Sequence, residues 1–142
     1  INYIQRYQLN NRFLREARTM RMIATWVLTV LLALAFFGAG LAKLTSQPMM
    51  VHEFSTFGLP LWFLYVTGSL EVIGAVLVLI PRLAFIGTSL ICCIMVGALI
   101  AHLTHGQSAM IGAPLVLLVL AIVVGSLRGW GRTAGLQLSN AA

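Results

Sequence analysis

Residues Leu59 to Ile80 read LPLWFLYVTGSLEVIGAVLVLI, an apolar run with a single charged residue, Glu71. A hydrocarbon core about 30 Å thick needs about 20 apolar residues in a helix to cross it, and this run has that length. It does not alternate apolar with polar residues, as a strand of a membrane β-barrel would. Pro60 suits the first helical turn, where a missing N–H costs nothing. Pro81-Arg82 closes the run, because proline lacks an amide donor and disfavours helix before it. The stretch is a membrane-spanning helix, and the rest of the chain is read outward from it.

Three further stretches share its character. Met22 to Ala42 is uncharged, Leu83 to Leu103 carries only His102 near its end, and Met110 to Leu127 is shorter and uncharged. Spans at 22–42, 59–80, 83–103 and 110–127 predict an all-α, integral membrane four-helix bundle. A cytoplasmic basic arm (1–21) precedes it and a tail (128–142) follows. The composition agrees, with 60% hydrophobic and 8% charged residues, where a soluble domain has about a quarter of its residues charged. A chain of 142 residues cannot hide so much apolar surface from water, and the mean hydropathy of +0.97 excludes disorder. The first apolar run exceeds a signal-peptide core and its basic flank is long, so it reads as a retained helix.

Nine Lys and Arg against three Asp and Glu give a net charge of +6. Arg6, Arg12, Arg15, Arg18 and Arg21 precede the first span, Arg82 separates spans two and three, and Arg128 and Arg132 follow the fourth. Lys43 alone lies on the other side. The positive-inside rule then predicts a multi-pass protein of the cell inner membrane with both termini cytoplasmic. Trp26, Trp62 and Trp130 fall near span ends, where amphipathic rings prefer the interface. In the arm, Tyr3, Ile4, Tyr7, Phe13, Leu14 and Ala17 recur at roughly helical spacing, interrupted at Asn10-Asn11. Such an amphipathic segment lies on an anionic leaflet or docks a neighbouring subunit, through Arg6, Arg12, Arg15 and Arg18.

Glu71 is the most informative residue. A charge at mid-span costs at least about 2.5–3.5 kcal/mol, so it must face the bundle. At helical spacing it shares a face with Thr67, Gly74, Ala75 and Val78, while Trp62, Tyr65 and Ser69 point elsewhere. Burial of a lone carboxyl favours its neutral form, which donates a hydrogen bond. The expected partner is Ser89 or Cys93 on span three, making Glu71 interhelical glue. The alternative is a proton acceptor or ligand contact, for instance to a quinone carbonyl. Ser89, Cys93, Gly97 and Ala101, each four apart, read as a small-xxx-small packing stripe, as do Ala35, Ala39 and the Gly38/Ala42 pair on span one. The ends of spans one and three, Gly38 to Thr45 and Gly97 to Thr104, also look alike. After each loop the chain re-enters as Gly58-Leu59-Pro60-Leu61 or Gly112-Ala113-Pro114-Leu115, the pattern of a parallel repeat.

Between the first two spans, Ser46 is a possible N-cap and Gly58 a possible C-cap. Met50, Phe54 and Phe57 lie on one face between them. A short interfacial or re-entrant helix should cover the outer mouth. An outer polar cluster gathers there: Lys43, His52, Glu53, His102 and His105. Lys43 is expected to snorkel outward and pair with Glu53. No ordered ligand spacing supports a metal, and adjacent Cys92 and Cys93 point about 100° apart, too divergent for an intrahelical disulfide. No nucleophile–base pair, phosphate loop or nucleic-acid module is present.

Three motifs, in order, resemble the DoxX-like family of small four-span membrane proteins: Gly40-x-x-Lys43, Phe54-x-x-Phe57-Gly58-x-Pro60, and Gly68-x-x-Glu71-x-x-Gly74. The resemblance covers Phe36 to His105 well and the last span loosely, and the long arginine-rich arm departs from the shortest members. It implies a four-helix bundle, and for some members a link to thiosulfate:quinone oxidation or membrane oxidoreductase assemblies. The reading that follows is a small accessory, structural or assembly subunit of a larger inner-membrane complex, redox-related by the resemblance. Its partners are membrane lipids and other integral membrane subunits, with no nucleic acid. The alternative is a quinone-linked oxidoreductase subunit with ligand contacts at Glu71, Thr67, Cys93, Phe54 and Phe57, quinone being its one cofactor. A small-solute transporter is third.

Overall fold

The computed structural model of the protein describes residues 2–139, apart from the side chains of Ile4 and of residues 130–139. The interfacial placement expected of Trp130 and the charge of Arg132 therefore lie outside the described residues. Five helices follow in order: α1 (Tyr3–Leu44), α2 (Pro48–Thr56), α3 (Leu61–Leu79), α4 (Ala84–Thr104) and α5 (Gly112–Ser139), with a 3-10 turn at Ser108–Met110 before α5. Four of them, all but α2, are long and apolar enough to cross a membrane.

The arm and the first span are one helix. Its 42 residues extend about 63 Å at 1.5 Å per residue, twice the hydrocarbon thickness. Asn10-Asn11 does not interrupt it. Those two residues are flanked by Gln8, Leu9, Arg12, Leu14, Arg15, Glu16 and Ala17, all good helix formers, and their own modest penalty is outweighed. The arginines do not share one face either: Arg12, Arg15, Arg18 and Arg21, spaced by three, each step back about 60° around the helix. Helix α5 likewise runs on past Leu127 to Ser139.

Each long helix packs antiparallel on its sequence neighbour, α1 on α3, α3 on α4 and α4 on α5, and α5 touches α1 to close the ring. The core contains Leu32 and Phe36 of α1, Val78 of α3, Ile91 and Met95 of α4, and Val124 of α5. Large apolar side chains such as Leu34, Ile73, Phe85 and Val119 are exposed on the outside, as lipid-facing residues are.

The packing faces differ from the sequence expectation. On α4 the buried residues are Ala84, Gly87, Thr88, Ile91, Met95 and His102. Ser89, Cys93 and Gly97 of the small-residue stripe are exposed, and Ala101 is half-buried. On α1, Ala35 and Gly38 are exposed, and a Cβ added to Gly38 would meet nothing within 4 Å. The glycines in the tightest contact are Gly87, where a Cβ would lie 2.7 Å from the Val78 nitrogen, Gly40 and Gly68. In a helix apolar all round, a spacing of four recurs on every face, so small residues alone do not say which face packs.

At one end of the bundle, α1, α2 and α4 all stop in the same way. In each the first residue beyond the C-cap has a left-handed backbone: Ser46 (φ 52), Gly58 (φ 66) and Gly106 (φ 69). The following amides turn back onto the last helical carbonyls, Gln47 N to Ala42 O at 3.0 Å, Leu59 N to Phe54 O at 3.0 Å and Gln107 N to His102 O at 2.9 Å, the Schellman pattern. Gly58 thus ends α2 as the sequence suggests. Ser46 instead terminates α1, and Gln47 caps α2 with Pro48 in its first turn.

Candidate functional site

The site begins where α1 and α3 touch backbone to backbone. A Cβ on Gly40 would lie 2.7 Å from the Gly68 carbonyl oxygen, and one on Gly68 would lie 2.9 Å from the Gly40 oxygen and 2.9 Å from Lys43 Cβ. Only glycine permits that approach. Three residues on from each glycine, along the same helix faces, stand Lys43 and Glu71. The Lys43 Nζ donates to both carboxylate oxygens, at 3.0 Å to Oε1 and 2.9 Å to Oε2. The side chains are 12% and 2% exposed.

This geometry is that of a buried ion pair, and it corrects three expectations. Lys43 does not snorkel outward, and its partner is not Glu53. The cause is where α1 ends: Leu44 packs against Gly68, seven residues past the start of α3 at Leu61, so α1 stops about two turns along α3. The long aliphatic stem then reaches inward over Gly68 toward the one carboxylate at that depth. Nor does Glu71 rely on Ser89 or Cys93, for Ser89 donates to the Phe85 carbonyl and Cys93 is exposed. With both oxygens within hydrogen-bond distance of the Lys43 ammonium group, Glu71 is not the lone carboxyl that the sequence suggests. The expected inward face is otherwise recovered, with Leu64, Gly68, Glu71, Gly74, Ala75 and Val78 buried.

Helix α2 forms a lid over this end, and a second pair fastens it. Glu53 Oε1 lies 3.3 Å from His102 Nε2, and the other ring nitrogen of His102 is 3.1 Å from Gln107 Oε1. His102 is only 5% exposed, a core residue where an interfacial one was expected. The Phe57 ring stands edge-on to His102 at 5.1 Å and lies 5.2 Å from His105. Phe54 is buried beneath α2 and meets Phe63 at 6.3 Å. Ser46 and Tyr65 share a hydrogen bond of 2.7 Å.

The outer polar cluster thus divides. Lys43 turns inward to Glu71, Glu53 and His102 latch α2, and His52 and His105 are exposed. The ligand candidates do not converge on one pocket. Glu71 is taken by Lys43, the Thr67 hydroxyl donates to the Phe63 carbonyl of its own helix, Phe54 and Phe57 belong to the lid, and Cys93 faces outward. Among the described residues no group of three or more His, Cys, Asp or Glu could hold a metal ion.

A further contact that the sequence reading did not make lies at the other end. Arg128 of α5 donates from Nε to the Thr29 hydroxyl at 3.2 Å, and its guanidinium lies 4.5 Å from the centre of the Trp26 ring. The signal available was depth: Trp26 and Arg128 sit at the same end of spans one and four.

Residues 27–124 match the DoxX-like family. The chain belongs to that family. The DoxX-like segment contains both glycines, the Lys43–Glu71 pair and the α2 lid, and it leaves out the arginine arm. The uncharacterized protein YdgD of Bacillus subtilis (strain 168) is 32% identical over 104 residues, covering 69% of this chain and 91% of the relative. No solved structure matches. Family and helices together make this DoxX-like chain a multi-pass membrane protein.

Proposed function

We propose that this protein is a small accessory or assembly subunit of a larger inner-membrane complex, redox-related as the family resemblance implies, with both termini in the cytoplasm. The observation that carries the reading is the unbroken α1. An arm lying flat on the leaflet would need a bend between arm and span. Instead the first twenty or so residues continue the span's own helix for about 30 Å, which carries Arg6 about 24 Å ahead of the span's start at Met22. The side chains of Arg6, Arg12, Arg15 and Arg18 are exposed, as are those of Tyr3, Tyr7, Phe13 and Leu14. Arginines and aromatic rings together are the residues that interfaces favour. The arm also precedes the family-matched segment, so it is equipment added to a common bundle.

Orientation follows from charge. The seven described arginines stand at the arm end, and the one lysine at the lid end is paired with Glu71 within the bundle. In this reading Glu71 sets the register of α1 against α3. Both of its oxygens are engaged and Leu32, Phe36 and Ile91 fill the core below, which favours a structural role over a quinone contact or a solute path.

The test is deletion of residues 2–21 in the native host. The truncated bundle should insert normally and be lost from its large assembly on a native gel. Unchanged co-migration with that assembly rejects the docking role.

A further inference from the structure

Helix α2 packs on α3 and α1 and meets α4 through side chains alone. At that edge three contacts converge on one imidazole. Glu53 Oε1 lies 3.3 Å from His102 Nε2, Gln107 Oε1 lies 3.1 Å from Nδ1, and the Phe57 ring stands edge-on at 5.1 Å. A neutral imidazole carries one N–H and one lone pair. Here both nitrogens face oxygens, so a neutral ring sets its lone pair against an oxygen on one side or the other. The imidazolium, with a proton on each nitrogen, suits both. Its surroundings favour that charge. His102 stands in the last turn of α4, where unpaired carbonyls attract a cation. The Glu53 carboxylate faces it from α2, and the charge of Glu53 also reaches Glu71 of α3, the partner of Lys43 of α1. Two carboxylates are thus matched by two cations, Lys43 and protonated His102; without the ring's second proton the group is one positive charge short. The other titratable groups at this end are His52 and His105, both exposed, and Tyr65, which is bonded to Ser46.

We propose that His102 is a proton-operated latch, holding α2 down on the bundle while its ring carries both protons and releasing it when one is lost to the compartment that the lid faces. A rise in pH therefore loosens the lid, and a fall through the histidine range fastens it. Loosening frees Phe57 and uncovers the end of the bundle where Lys43 meets Glu71. The latch is independent of the docking role of the arm.

The full-length protein in lipid nanodiscs is followed from about pH 5 to about pH 8, the range in which histidine changes charge. Two quantities are measured: the ring-nitrogen chemical shifts of His102, and the hydrogen-exchange protection factors of the amides of residues 51–57, which remove the intrinsic effect of pH on exchange. Protection should fall about tenfold, the worth of one hydrogen bond to a charged group, along the same curve as the loss of the second ring proton. His102→Gln and Glu53→Gln, compared with the wild type at each pH, should hold α2 at the low-protection level throughout. The wild-type curves decide even where a variant fails to fold. Constant protection across the range in the wild type overturns the proposal. So does a neutral His102 ring under a fully protected lid, the outcome if the Gln107 amide is turned over to donate to Nδ1. A pH dependence that survives in His102→Gln also overturns it and assigns the effect to His52 or His105.

Discussion

The α1–α3 and α4–α5 seams are built from similar residues and come out unlike. In the first, Gly40 and Gly68 meet at one depth with each backbone against the other, and a single Cβ would push into a carbonyl oxygen at under 3.0 Å. In the second, Gly125 faces only the Thr88 side chain, Gly129 faces open space, and a groove remains. Glycine brings helices together only where it meets its counterpart, and elsewhere it thins the surface. The close seam is also the one that carries charge. Backbone approach at Gly40 and Gly68 is what lets a lysine at a helix end span the distance to a carboxylate in mid-helix.

The comparison can be broken most forcefully at the pair. Lys43→Met leaves Glu71 buried and uncompensated, a loss of about 3–5 kcal/mol, read as a lower denaturant midpoint in mixed micelles. The double variant Lys43→Met/Glu71→Leu should regain most of that stability, since apolar replacement of a buried pair is often neutral or better. If the single variant unfolds at the wild-type midpoint, the pair does not hold the seam. Next comes Gly68→Ala, which drives a methyl against the Gly40 carbonyl and should cost about 1–3 kcal/mol. A wild-type midpoint there would mean that the helices part without penalty. Smallest and of opposite sign is Gly129→Ala in the loose seam: it touches nothing, removes chain entropy from the unfolded state and should stabilise by about 0.4–1 kcal/mol. Destabilisation at Gly129 would show that the α4–α5 seam is tighter than its geometry.

Much of this was legible in the chain. Four apolar runs of membrane length specify four crossings, since length and hydropathy are local properties. The inward direction of Glu71 was also legible, because exposure to acyl chains is too costly for a carboxylate and Gly74 and Ala75 mark its face. The identity of its partner was not. Lys43 adjoins a loop, and a lysine there ordinarily reaches water. Only the tertiary fact that α1 stops short, under a lid formed by α2, turns it inward. The packing face of α4 was misjudged for a related reason: Ser89 and Cys93 are as small as Gly87 and Thr88, and a uniformly apolar helix carries no polar side to break the tie. The latch between Glu53 and His102 joins α2 to the end of α4, across a separation that no local pattern reports.

The arm and the lysine occupy opposite tips of one uninterrupted rod about 63 Å long. Whatever grips the arginines therefore holds a lever, and each degree of lean at that handle swings the far tip by about 1 Å. Hydrogen bonds at 2.9 and 3.0 Å leave little slack for such a swing. Under the proposed docking role, load on the tip that carries the arginines would run along this one helix toward the ammonium group at its other end.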